Sequence, residues 1–150
     1  FFLSIFEMKK LFQIDSSFHG HSPVLFAWQP RGKYLATAGA NGLVLLFDRH
    51  GAQEEEVALP TSAPCLALEW DKDGEFLAIM QANHPVVHLF EVGTRIMITL
   101  DTQFKSPTFL RWSSTGPQLV IASSKGALLL YNKETRRKIP IVGKHSKAIT

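Results

Sequence analysis

Six histidines, at positions 19, 21, 50, 84, 88 and 145, are the first candidates for chemistry, because neutral imidazole is a common metal ligand. His84 and His88 stand four apart, a spacing that converges on one face of a helix. The pair instead flanks a predicted turn and strand, where it need not converge, and His19 and His21 have no third ligand nearby. All six read as turn or surface residues, and no metal is expected. Asp71-Lys72-Asp73-Gly74 opens like a calcium loop, but its glycine comes too early and no glutamate closes the loop. It reads as a β-turn. The stretch from Gly39 to Gly42 lacks the third glycine and following helix of a dinucleotide fingerprint, and no phosphate-binding loop occurs. Cys65, between Pro64 and Leu66, reads as a buried strand residue rather than a reactive thiolate. Neither a nucleophile elbow nor a paired catalytic carboxylate is found. No catalytic residue and no cofactor is assigned, and the chain is not expected to be an enzyme.

Charge offers more. The run Arg136-Arg137-Lys138, with Lys133, Lys144 and Lys147, makes the last third of the chain basic. It reads first as a solvated outer face, then as a contact for an acidic protein or, more weakly, a lipid surface. Nucleic acid is not expected, because no aromatics interleave for base stacking. Glu54-Glu55-Glu56 falls on a predicted outer strand, where charge guards an edge against mispairing. The 150 residues are 45% hydrophobic and 19% charged with a net charge of +3, the composition of a folded domain. One cysteine excludes an internal disulfide framework. No apolar run is long enough for a helix to cross a bilayer.

What would position these residues is a repeat. Trp28, Trp70 and Trp112 are spaced by 42 residues, as are Gly32, Gly74 and Gly116, and Leu35, Leu77 and Leu119. Each unit then carries an apolar run closed by an aromatic and a polar residue, Phe47-Asp48, Phe90-Glu91 and Tyr131-Asn132. Short apolar runs at such a period, separated by Gly, Pro and Asn turns, predict four-stranded propeller blades and an all-β fold. Strands are expected near 24–28, 34–38, 43–47 and 55–59; near 65–70, 76–80, 86–90 and 95–100; and near 108–112, 118–122, 127–131 and 137–142. The three tryptophans read as core landmarks. The turns 30–33, 72–75 and 114–117 each hold a glycine where a positive φ is cheap, and Asn41-Gly42 signals a two-residue hairpin. Residues 9–14 are expected to form an outer strand. Residues 1–7 read as a non-native or disordered leader ahead of Met8, and 143–150 as the start of a fourth blade. The blades span about 24–60, 65–101 and 108–142, an incomplete propeller over 8–150, expected to be marginally stable alone.

The units resemble WD repeats. Gly20-His21 matches the Gly-His ahead of the first strand, and Phe47-Asp48 stands where Trp-Asp would. The family's hydrogen-bond tetrad would map to His21, Thr37, Asn41 and Phe47, incomplete because phenylalanine has no indole N–H. The second unit lacks the Gly-His and has His84 at the acidic position; the third has Lys125 there and Ile121 in place of the hydroxyl. The phrases FAWQPRGKYLATAG, LEWDKDGEFLA and TRRKIPIVGKHSKAIT, in that order, resemble more narrowly the WD-repeat subunits of intraflagellar transport complex A. That resemblance implies two propellers followed by helical repeats in the full protein. It also implies a non-enzymatic protein-interaction scaffold in retrograde ciliary transport, cilium assembly and cargo import, located in cytoplasm, cilium and basal body. The partners implied are the other protein subunits of a large transport complex. A scaffold of another vesicle-trafficking or coat-type assembly fits the repeat equally well. A propeller hydrolase would need acidic or histidine residues gathered at the channel mouth, and Asp71, Asp73, His84 and His88 are the ones to screen.

Overall fold

The computed structural model describes residues 12–21 and 23–141. The leader 1–7, residues 9–11 of the expected outer strand, and the fourth-blade start with Lys144 and Lys147 lie outside the described residues. Three antiparallel four-stranded sheets follow one another along the chain. The first comprises β1 (Leu25–Trp28), β2 (Tyr34–Ala38), β3 (Val44–Asp48) and β4 (Gln53–Val57). The second comprises β5 (Cys65–Trp70), β6 (Phe76–Gln81), β7 (Val86–Glu91) and β8 (Ile96–Asp101). The third comprises β9 (Pro107–Trp112), β10 (Gln118–Ser123), β11 (Leu128–Asn132) and β12 (Arg137–Ile141). Strands pair in chain order within each sheet, the simple meander of a propeller blade.

The repeat is visible at the level of single hydrogen bonds. The first hairpin of each blade is closed by Gln29 N–H to Tyr34 O (2.9 Å), Asp71 N–H to Phe76 O (3.0 Å) and Ser113 N–H to Gln118 O (2.8 Å). Gly32 (φ 67°) and Gly74 (φ 72°) take the left-handed conformation these turns require. Gly116 does not; its N–H donates to Ser113 Oγ (3.0 Å), so a side chain holds the third turn instead. The polar residue closing the third strand caps the next turn. Asp48 Oδ1 accepts from His50 N–H (2.8 Å) and Ala52 N–H (2.9 Å). Asn132 Oδ1 accepts from Glu134 N–H (2.9 Å) and Thr135 N–H (3.1 Å). The hairpin at Asn41-Gly42 is wider than two residues. Ala38 pairs with Val44, and the turn runs from Gly39 to Gly42, with Asn41 Oδ1 accepting from Leu43 N–H (3.2 Å).

Because successive strand residues point to opposite faces, each blade has two apolar faces, both of which need covering. One core lies between blades 1 and 2, where Tyr34, Ala36, Val44 and Leu46 meet Trp70, Leu77, Ile79 and Phe90. The other lies between blades 2 and 3, where Ala78, Met80, Val87 and Leu89 meet Leu110, Trp112, Leu119, Ile121 and Tyr131. In each case the Trp, Leu and aromatic landmarks of one blade press on the blade before it. Trp28 breaks the pattern. It is 52% exposed, against 7% for Trp70 and 5% for Trp112, so it is no core residue here. Its face of blade 1 has no preceding blade among the described residues, and Phe26 beside it is 69% exposed.

Part of that face is nevertheless covered. Residues 12–14 form no strand, contrary to expectation for the described part of 9–14, and lead into a single-turn helix α1 (Ser16–His19). Asp15 caps α1 by accepting from Ser17 N–H (2.9 Å), and Gly20 N–H closes it on Ser16 O (2.8 Å). Phe18 meets Phe47 edge-on with centroids 5.2 Å apart. The Phe12 ring lies so near Gly51 that an added Cβ would come within 2.6 Å of it. Phe47, which Phe18 covers, is buried, as are Leu35 and Leu45 on the same face of the sheet.

Candidate interaction surface

The blade seams are built by one repeated device. Trp70 Nε1 donates to Ala27 O (3.0 Å) and Trp112 Nε1 to Glu69 O (3.1 Å), so each indole bonds the backbone just before the preceding blade's own tryptophan. A buried indole N–H needs an acceptor, and this one is backbone, indifferent to side-chain identity. Around it the two seams differ. Between blades 1 and 2, Gln29 Nε2 donates to Gly74 O (2.6 Å), and Arg95 pairs with Glu55 at the outer edge (2.5 Å). Between blades 2 and 3, Glu69 Oε1 accepts from Trp112 N–H (3.0 Å). Burial pushes the Glu69 carboxyl up, and that hydrogen bond together with Arg111 pulls it partly back.

The stretch Asp71–Glu75 is a turn, with Asp71 Oδ1 accepting from Glu75 N–H (2.8 Å) and Phe76 N–H (3.0 Å). Among the described residues, Asp71, Asp73 and Glu75 form the one group with the mutual proximity of cation ligands, within 4.8 Å. A cation already sits there. The Lys133 ammonium contacts Asp71, and reaches Asp73 at 3.1 Å and Glu75 at 3.3 Å. Its side chain is only 6% exposed, and Asp71 is buried. Burial works against the ammonium, but the hydrogen bonds it donates to Asp71 and Asp73 outweigh it and raise the Lys133 pKa. Lys133 therefore leaves the surface basic patch and becomes a pin between blades 2 and 3.

The histidines sort differently from expectation. His19, not His21, reaches Thr37, with Nε2 and Oγ1 2.6 Å apart, and it is buried while His21 is exposed. The reason is local: α1 turns the chain so that His19 fills the space over Gly39, where a Cβ would come 2.9 Å from His19 Cβ. Burial lowers the His19 pKa, and Asn41 offsets part of that. The His84 and His88 rings lie 5.9 Å apart, tilted by 41°, but His84 Nδ1 accepts from Val86 N–H (3.2 Å) as a turn cap. His88 is buried, neither ring nitrogen has a partner, and burial and then His84 lower its pKa. Neither histidine joins the acidic group, so the four residues to screen for a hydrolase are not brought together. Cys65 is buried, and its thiol is pushed up to about 11 by burial, which makes it unreactive.

Of the basic patch, Arg136 and Arg137 are exposed, while Lys138 Nζ donates to Asp101 O (3.1 Å) and ties β12 to the end of β8. Sequence reasoning missed His19, Lys133, and the pair Gln81 and Ser123. Gln81 is buried at the mouth of a hairpin, and Ser123 borders a hollow of about 310 Å³ lined by Gln103–Ser106, Ser123–Lys125 and Ala127. Among the described residues no helix is long and apolar enough to cross a membrane.

Residues 24–150 match the family model described as the WDR19 first beta-propeller. The chain belongs to the WDR19 family. WD repeat-containing protein 19 of Homo sapiens is 41% identical to it over 145 residues, 95% of this chain. The Mus musculus protein of the same name is 41% identical over 146 residues, and WD repeat-containing protein dyf-2 of Caenorhabditis elegans 35% over 136 residues. The chain spans 11% of the length of the two mammalian relatives and 10% of the nematode one. Three antiparallel four-stranded meander sheets are consistent with a partial propeller of that family.

Proposed function

We propose that the chain is part of a non-enzymatic protein-interaction scaffold, a subunit of intraflagellar transport complex A. It acts in retrograde ciliary transport, cilium assembly and ciliary cargo import, in cytoplasm, cilium and basal body. The observation that carries this reading is membership of the WDR19 family across nearly the whole chain. The physical architecture supports it: the conspicuous polar groups, Trp70, Trp112, Lys133 and Asp71, are spent on holding blades together. Rigid blades then offer turns and edges to several neighbours at once. Arg136 and Arg137, on the last strand's turn and edge, are the proposed contact for an acidic face of a neighbouring subunit. The test is affinity purification of the tagged full-length protein from ciliated cells. Other complex A subunits are expected in the eluate, and their absence overturns the assignment.

A further inference from the structure

One position, repeated every 42 residues, ends the second strand of each blade or follows it directly: Gly39, Gln81 and Ser123. In blade 1 the space over Gly39 is filled by His19. In blade 2, Gln81 fills it with its own amide. Gln81 Nε2 donates to Thr61 O (3.1 Å) and Ala63 O (2.9 Å), and its Oε1 accepts from Thr61 Oγ1 (3.2 Å). That amide stitches the incoming loop to the hairpin. In blade 3 the residue is too short to do so. Ser123 Oγ turns back on its own hairpin, accepting from Lys125 N–H (3.2 Å) and Ala127 N–H (3.0 Å). Outside the strand ladder, Ser124 N–H to Ser106 O, at 3.4 Å, links loop to hairpin among the described residues. Between that loop and that hairpin, bordered by Ser123, lies the 310 Å³ hollow.

The lining has a definite chemistry. Phe104 and Ala127 are half-buried and apolar, Ser106 and Ser124 bring hydroxyls, and no acidic residue takes part. Lys105 and Lys125 are exposed, and neither enters an ion pair among the described residues. Elsewhere in blades 2 and 3, Lys133 and Lys138 are bonded internally, so this hollow is where uncommitted ammonium groups flank a cavity. An apolar wall between free cations suits a partner that brings a carboxylate and a hydrophobic group together. The geometry points to a docking site in blade 3 for an extended acidic peptide segment of a partner protein. A glutamate or aspartate carboxylate lies against Lys105 and Lys125, and an adjacent apolar side chain against Phe104. This deepens the scaffold reading, on which it rests for the ligand being a polypeptide.

The test uses purified full-length protein and a fluorescein-labelled peptide of glutamates around one central phenylalanine, read by anisotropy. Binding is expected, weakening with salt and lost when glutamine replaces glutamate. Ser123→Gln, which copies blade 2 and plugs the hollow, is expected to weaken it about tenfold, as is Lys105→Glu combined with Lys125→Glu. Thermal melts check that each variant is folded, and the exposed lysine pair keeps the test open if Ser123→Gln fails to fold. No binding by the wild type overturns the proposal, as does binding that both variants leave unchanged. Loss on Arg136→Ala/Arg137→Ala alone would assign the peptide to the β12 edge and overturn it. So would capture of phosphoinositide vesicles, rather than peptide, that depends on Lys105 and Lys125. Complex A co-purification is read in parallel. If it persists while the peptide fails to bind, the site falls and the scaffold stands; if the subunits are absent while the peptide binds, the scaffold assignment falls alone.

Discussion

The seam between blades 1 and 2 and the seam between blades 2 and 3 share the indole-to-carbonyl bond and the apolar landmarks, and differ in the polar groups set around them. The first adds a neutral amide, Gln29 to Gly74, has its one ion pair, Arg95 with Glu55, at the solvent-facing outer edge, and carries His88, without a hydrogen-bond partner, on the blade-1 side of blade 2, beside Ile79. The second adds Lys133 among three carboxylates and Glu69 on the backbone of Trp112. One repeat period therefore supports two electrostatic regimes. The apolar landmarks set where blades meet, while the polar residues between landmarks set how that meeting responds to charge and acid.

The comparison is broken most strongly at the tryptophans. Trp70→Ala and Trp112→Ala each empty a packed seam and orphan a carbonyl, at a cost of about 3–5 kcal/mol in urea denaturation. Trp28→Ala should cost less than ~1 kcal/mol, because its ring is half in water. Equal losses at all three would mean that Trp28 is covered after all. Next comes the pin. Lys133→Met leaves Asp71 charged, buried and unpaired, a loss of about 3–5 kcal/mol that Asp71→Asn in the same chain should largely restore. If the double variant is no better than the single one, Lys133 acts through its ammonium over the Phe76 ring rather than through Asp71.

Smaller effects sharpen the contrast. His19→Ala removes a buried hydrogen bond and opens the space over Gly39, for about 1–2 kcal/mol. His21→Ala should stay within ~0.5 kcal/mol, and a reversed order would restore His21 to the tetrad position. Acid should act on the first seam through His88. Its folded pKa lies below the ordinary 6.5, so the unfolded chain takes up the proton first as pH falls. The stabilising contribution is complete above that value and is lost as pH drops below it towards the folded pKa, at no more than about 1.4 kcal/mol per pH unit. His88→Leu, matching Leu45 and Leu129 in the other blades, should flatten that part of the profile. An unchanged slope would point to His19, whose pKa is lowered for the same reason.

Much of the fold was legible because a landmark type recurs in register: twelve strands fall within about two residues of where the period places them, β4 included. The misreadings have physical causes. Trp28 looks like Trp70 and Trp112 in sequence, but burial belongs to the neighbour as much as to the residue. His19 and His21 differ by two positions, and only the turn of α1 decides which one meets Thr37. Lys133 sits in a basic run, yet its partners lie some 60 residues away, which composition cannot reveal. The blade-3 hollow is bordered by a short side chain, Ser123, which leaves no motif. It could have been found by laying Gly39, Gln81 and Ser123 side by side and asking what fills each.

The indole bonds also have a direction. Each runs from a later tryptophan to a carbonyl laid down 43 residues earlier, never the other way. On a ribosome, where a chain emerges from its N-terminus, every arriving blade thus finds its docking groove already built. Assembly can proceed by accretion, with each finished sheet serving as the mould for its successor. Trp28 meets no earlier blade among the described residues, and its ring stays half exposed. The short run Phe12–His19, with Phe18 against Phe47, Phe12 over Gly51 and His19 over Gly39, shelters part of that side in the meantime and leaves Phe26 and Trp28 in water.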